Sequence, residues 1–110
     1  MAFEELSPKE QRIVLQCMKV ITETSLIEDA EFQTRLGLSK QELHEVVAAW
    51  PRLDNSGDAS IMSLAINNCL NEVCHGVYIN GNTWRHYFDV SLRDVEQVYD
   101  RWLNLKRNNI

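Results

Sequence analysis

Hydrophobic side chains return at helical spacing in each long stretch of this chain. Ile13, Cys17, Val20 and Ile21 mark one side of a helix, with Val14 and Met18 beside them. Leu43, Val46, Val47 and Trp50 follow the spacing of a single helical face, and Val95, Val98, Tyr99 and Trp102 repeat it. Between them lies a broader arc of Ile61, Met62, Leu64, Ala65, Ile66, Cys69, Leu70 and Val73. Arcs this wide exceed what a lone three-helix unit covers. The first and fourth helices are therefore expected to pack on each other, with any remainder serving a dimer interface. The tryptophans at the ends of the stripes read as core rather than as a ligand cage, because each ring buries a large apolar area.

Polar residues set the ends of these helices. Ser7-Pro8-Lys9-Glu10 combines a capping serine, a proline at the first helical position and a glutamate three residues after the cap, predicting a helix to about Glu23. Asp29 is expected to cap a second helix through Leu36, with Gly37 supplying the turn. Ser39 with Glu42 starts a third, which runs to about Trp50 before Pro51 stops it. A fourth is predicted from Ala59 to Cys74, ending at Gly76; Asn80 or Asn82 caps a fifth, and Ser91 with Asp94 opens a sixth reaching Lys106. The fold class is all-α.

The two halves align without a gap. Gln16–Leu53 laid over Asn68–Leu105 at an offset of 52 residues gives six identities in 38 positions: Cys17/Cys69, Ile27/Ile79, Ser39/Ser91, Val46/Val98, Trp50/Trp102 and Leu53/Leu105. Hydrophobe also meets hydrophobe at Met18/Leu70, Ile21/Val73, Leu26/Tyr78, Phe32/Trp84, Leu36/Phe88, Leu38/Val90, Leu43/Val95 and Val47/Tyr99. With the recurring caps, this predicts an internal duplication in one 1–110 domain: repeat one 6–53, linker 51–58 and repeat two 59–107. The linker has the composition of a calcium loop without its order, since from Asp54 the glycine, Gly57, stands fourth and Ala65 twelfth, where an EF-hand has glycine sixth and glutamate last. Leu26-Ile27 and Tyr78-Ile79 occupy matching places, which suggests a tiny two-stranded bridge between residues 26–28 and 78–80.

A length of 110 residues suits one core. No apolar run approaches the ~20 residues of a membrane helix, and the start lacks the pattern of a signal peptide, so a soluble, cytoplasmic protein is expected. The net charge of −5 divides into −3 through Leu53 and −2 beyond it, so neither half is a basic module. Cys17, Cys69 and Cys74 have no zinc-type spacing and read as small buried apolar residues. His44, His75 and His86 lack companions at metal-ligand spacing, and the neighbours Cys74 and His75 would point about 100° apart on a helix. His86, beside Trp84 and Tyr87, reads as a partly buried, hydrogen-bonded side chain. With no phosphate loop, nucleophile elbow or HExxH pattern, neither a cofactor nor an enzymatic activity is expected.

Leu6-Ser7-Pro8-Lys9-Glu10-Gln11-Arg12-Ile13-Val14-Leu15 and Leu36-Gly37-Leu38-Ser39 resemble the opening helix and the turn of the helix-turn-helix in LuxR-type regulators and sigma-factor region four. The resemblance covers about 40 residues of the first half. It implies a third helix whose start enters the major groove, offering Lys40, Gln41, His44 and Glu45, with Gln41 reading adenine and Lys40 reaching a phosphate. The chain departs from those families at Gln33, where they carry a small alanine. In the second half Arg85 takes that place and Asp89 replaces the turn glycine. Carboxylates crowd the surface: Glu42 and Glu45, with Glu28, Asp29 and Glu31 before them, while the second half offers Leu92, Arg93, Glu96, Gln97 and Asp100. Affinity for phosphates comes from lysine and arginine, and an acidic surface forfeits it.

The expectation is a non-enzymatic small regulatory or adaptor protein in the setting of transcription regulation, acting through a protein partner or as a homodimer. Its contact surface is drawn from Lys40, Gln41, His44, Glu45, Arg93, Glu96 and Gln97. The alternative is a sequence-specific DNA-binding regulator that uses the same residues.

Overall fold

The computed structural model describes residues 2–52 and 59–108. Residues 53–58, which carry most of the expected linker and the start of the calcium-loop comparison, lie outside the described residues. Six helices are seen among the described residues: α1 (Pro8–Glu23), α2 (Asp29–Leu36), α3 (Lys40–Ala49), α4 (Ala59–Asn71), α5 (Gly81–Tyr87) and α6 (Leu92–Asn108). A 3-10 turn over Ala2–Glu5 precedes them, and a π-helical turn over Glu72–Gly76 continues α4. The fold is all-α.

Local hydrogen bonds fix most helix starts. The Ser7 N–H donates to Glu10 Oε1 (2.8 Å) and the Glu10 N–H to Ser7 Oγ (3.1 Å), a reciprocal cap that satisfies two otherwise orphaned donors. Ser39 and Glu42 do the same for α3 at 2.7 and 3.1 Å, and Ser91 and Asp94 for α6 at 3.0 and 3.2 Å. Asn80, rather than Asn82, caps α5 by accepting from the Thr83 N–H at 2.9 Å. Asp29 is not the cap of α2. It is the first helical residue, its carboxylate is turned to Lys40, and Glu28 at the cap makes no side-chain bond to the helix.

The central pair is α1 and α4, which pack on each other and bring Val14, Cys17, Met18 and Ile21 into one buried cluster with Ala65, Ile66, Cys69 and Leu70. Around them α3 lies on α1 and α6 on α4, while α2 crosses to α4 and α5 to α1. The starts of α2 and α5 are 52 residues apart, as are those of α3 and α6. Each short second helix thus docks on the long helix of the other half, and neither half closes its own core.

Burial is unequal along the matching stripes. Val95, Val98 and Trp102 are buried, whereas of the α3 stripe only Leu43 is, with Val46, Val47 and Trp50 half-covered. Trp50 is met edge-on by Phe3, ring centroids 4.9 Å apart. Leu64, expected on the apolar arc of α4, is instead exposed, with its methyls facing Gly37. No strand or bridge forms among the described residues. Ile27 turns into the core while Tyr78, in the other segment of the expected bridge, is 85% exposed, so the two segments do not pair.

Candidate functional site

The residues singled out from the sequence form two separate patches. Gln41, His44 and Glu45 are exposed on the outer side of α3 with Lys40 half-covered, and Arg93, Glu96 and Gln97 are exposed on α6. Among the described residues no hydrogen bond or ion pair joins one patch to the other. Within the first, Gln41 Nε2 donates to Glu45 Oε1 at 3.4 Å. Lys40 Nζ sits 3.4 Å from Asp29 Oδ1 and 5.9 Å above the Phe32 ring, so this cation is already engaged by a carboxylate and an aromatic face. Leaving histidine aside, each patch carries one cation and one carboxylate and is neutral.

The first patch is held from behind. Gly37 takes the left-handed conformation at φ 75°, its N–H donating to Gln33 O at 2.9 Å, and Asn68 Nδ2 on α4 donates to Leu36 O at 2.6 Å. Arg35, in the last turn of α2, forms a two-pronged ion pair with the buried Glu72 carboxylate and reaches the Gly76 carbonyl at 3.4 Å. Its hydrogen bond to Glu72 holds the guanidinium protonated above its ordinary range. A side chain at Gly76 would collide with Glu72, which explains why the π-turn ends in glycine.

An open apolar groove lies beside the end of the π-turn, with a volume of about 420 Å³. Val73, Tyr78, Ile79, Trp84, Arg85 and Leu92 line it. Trp84 is a fixed wall: its ring stacks on Phe88 at 4.1 Å, and its indole N–H donates to Val90 O at 2.8 Å. Tyr78 and Leu92 are two of the three large exposed hydrophobes among the described residues. Fifty-two residues earlier the surface is closed, with Phe32 and Ile27 buried and the Lys40–Asp29 pair across the ring. Leu92 stands where Lys40 would be and Gly81 where Asp29 would be, so the lid has no counterpart. Sequence reasoning passed over this groove, although the exchange of Lys40 for Leu92 in the half-to-half alignment was its visible signal.

A second cavity of about 340 Å³ lies between α1 and α5, lined by Arg12, Gln16, Lys19, Glu23, His86 and Tyr87. Of its charged residues, Arg12 is paired. Gln16 Nε2 donates to Asp89 Oδ1 at 2.9 Å and Arg12 lies 3.1 Å from Asp89 Oδ2, together holding that carboxyl below its usual range. The Tyr87 hydroxyl donates to Glu23 at 3.3 Å. His86, expected to be partly buried and hydrogen-bonded, is exposed and meets only the edge of the Tyr87 ring at 4.9 Å.

The cysteines offer no activated nucleophile. Burial pushes the thiols of Cys17 and Cys69 up, and that of half-buried Cys74 to about 11, so the reactive thiolate is disfavoured. Among the described residues no group of three or more His, Cys, Asp or Glu side chains is placed to hold a metal ion, and no helix is long and apolar enough to cross a membrane. Comparison with protein-family models, curated proteins and solved structures finds no match to this chain.

Proposed function

We propose that this is a non-enzymatic small regulatory or adaptor protein that acts through protein contacts, in the setting of transcription regulation. The observation that carries this reading is the open groove lined in part by Arg85, where Tyr78 and Leu92 leave apolar surface in water beside a rigid Trp84. Burying such surface against a partner is favourable, and tyrosine, tryptophan and arginine are the residue types that dominate binding energy at protein interfaces. The reading takes the chain as a duplicated helix-turn-helix-like unit, and the matching helix starts support the duplication. A cytoplasmic setting agrees with three unpaired cysteines.

One observation favours a second reading, a DNA-binding regulator: the Gly37 turn presents an exposed α3 face. Engagement of Lys40 by Asp29 and the neutral balance of both patches favour the first. The two separate on salt, since phosphate contacts weaken steeply with ionic strength and an apolar contact does not. The purified protein is mixed with a random duplex pool across a salt series. No retention at low salt is expected, whereas salt-sensitive retention of an enriched motif, lost in Lys40→Ala and Gln41→Ala, would establish the DNA reading instead.

A further inference from the structure

The groove between the end of α4 and the start of α6 differs from the matching surface of the first half in a way that specifies its occupant. From Val77 to Phe88, Arg85 is the only residue with a formal charge, histidine aside, whereas the matching stretch from Ser25 to Leu36 holds Glu28, Asp29, Glu31 and Arg35. Every carboxylate of the first stretch is missing from the second. Arg85 is exposed, its side chain bonds only the neutral Asn82, and among the described residues it has no carboxylate partner. Arg12, Arg35, Lys40 and Arg101 each have one, while among the described residues Lys9, Lys19, Arg52, Arg93, Lys106 and Arg107 share its lack of such a partner without lining the groove. An unneutralised guanidinium in an apolar lining matches a ligand that brings an apolar side chain and a carboxylate together.

We infer that this groove binds a short acidic, apolar segment of a partner protein: one or two large apolar side chains enter between Tyr78, Trp84 and Leu92, and a neighbouring aspartate or glutamate pairs with Arg85. The inference rests on the protein-contact reading above and supplies the partner's chemistry. A volume of about 420 Å³ falls within the roughly 300–1,000 Å³ range of binding pockets. A second copy of this chain is a poorer occupant. A twofold contact centred on the groove would bring two Arg85 side chains into one interface, with no acid in residues 77–88 of either copy to neutralise them. Nucleic acid is poorer still, because one guanidinium supplies little phosphate affinity.

The first half shows how to close the groove. Gly81→Asp with Leu92→Lys would put the charges of Asp29 and Lys40 at the matching places and set a carboxylate against Arg85, taking up the charge that the partner would meet. Both positions are exposed, and a Cβ at Gly81 meets only the mobile end of Arg85, 3.3 Å away. Displayed random-sequence peptides are selected on the wild-type protein, on this double variant and on Arg85→Glu, each confirmed as folded by its helical spectrum and thermal transition. Wild type is expected to enrich peptides that place leucine, phenylalanine or tryptophan beside aspartate or glutamate. The double variant should lose affinity for them by roughly ten-fold or more, and Arg85→Glu should turn the preference toward lysine and arginine. Basic or uncharged winners, equal enrichment on the double variant, or no enrichment would overturn the proposal. Sedimentation of wild type as a dimer that the double variant dissociates would also overturn it, in favour of a second copy, and would leave the protein-contact reading standing. Salt-sensitive duplex retention removes that broader reading, so the two failures are distinguishable.

Discussion

Leu36-Gly37-Leu38-Ser39 and Phe88-Asp89-Val90-Ser91 stand 52 residues apart, and each leads from a short helix into a longer one. The earlier turn passes through the left-handed Gly37, and α4 reaches it through Asn68, whose amide donates to the Leu36 carbonyl. The later turn has no left-handed residue, since α5 ends at Phe88 with φ −120°. There α1 reaches the turn through Gln16, the residue 52 positions before Asn68, and the bond goes to the Asp89 carboxylate. One long-helix amide serves each turn, bonding backbone in one and a side chain in the other. Where glycine is given up, the left-handed turn goes with it. A carboxylate then takes the amide and adds an ion pair to Arg12.

The largest test of this comparison is to separate the halves. Since α2 docks on α4 and α5 on α1, a fragment ending at residue 53 has the wrong long helix for its short one. A chain of that length is marginal even with a complete core. The fragment is expected to show no cooperative unfolding transition by circular dichroism, and to regain helix on mixing with the remainder. A cooperative transition from the fragment alone would mean that each half closes its own core.

Next in size is the link from α2 to the end of α4. Glu72→Ala would strand Arg35, and breaking a buried ion pair typically costs ~3–5 kcal/mol. Arg35 is 30% exposed, and solvent screening reduces the expected loss to ~1–2 kcal/mol in urea denaturation. The counterpart between α5 and α1, Tyr87 to Glu23, is a long hydrogen bond at the surface, so Tyr87→Phe should cost at most about 0.5 kcal/mol. Equal losses would show that the two crossings are equivalent in strength. Gly37→Ala comes third, at ~1–2 kcal/mol for an L-residue held left-handed, with Asn68 Nδ2 only 3.4 Å from the added carbon.

Caps and periodic faces were legible in the sequence because both are local. Ser7 with Glu10, Ser39 with Glu42 and Ser91 with Asp94 pair across one helical turn, and three residues of spacing suffice to predict them. Gln41, His44, Glu45, Arg93, Glu96 and Gln97, chosen through the helix-turn-helix resemblance, are exposed, and Lys40 is half-covered. The crossing of α2 to α4 was not legible, since periodicity says which face is buried and not what covers it. Asp29 has the chemistry of a cap, yet Lys40, eleven residues on, claims its carboxylate. The groove escaped for the same reason. Leu92 and Gly81 are unremarkable as helix starts, and they matter only because they line one groove with Trp84.

The smallest expected effect separates the two turns by pH. Asp89 is held below its usual range by the Gln16 hydrogen bond first and the Arg12 charge second, and Asp94 by the Ser91 N–H at the start of α6. A carboxyl whose folded value is depressed contributes stability that is fully present above its unfolded value, ~3.9 for aspartate. That contribution is lost as pH falls through the folded value. Wild-type stability should therefore decline on acidification from about pH 5 toward pH 2. Asp89→Asn keeps an oxygen to accept from Gln16 but cannot titrate, so it should be less stable than wild type near neutrality and converge with it in acid. The bonds made by the Leu36 carbonyl and the Gly37 N–H involve no carboxylate, so the penalty of Gly37→Ala should stay constant over the same range. Parallel curves for Asp89→Asn and wild type would show that the ionic contacts of the later turn do not contribute to stability, leaving its closure to the backbone and to Phe88.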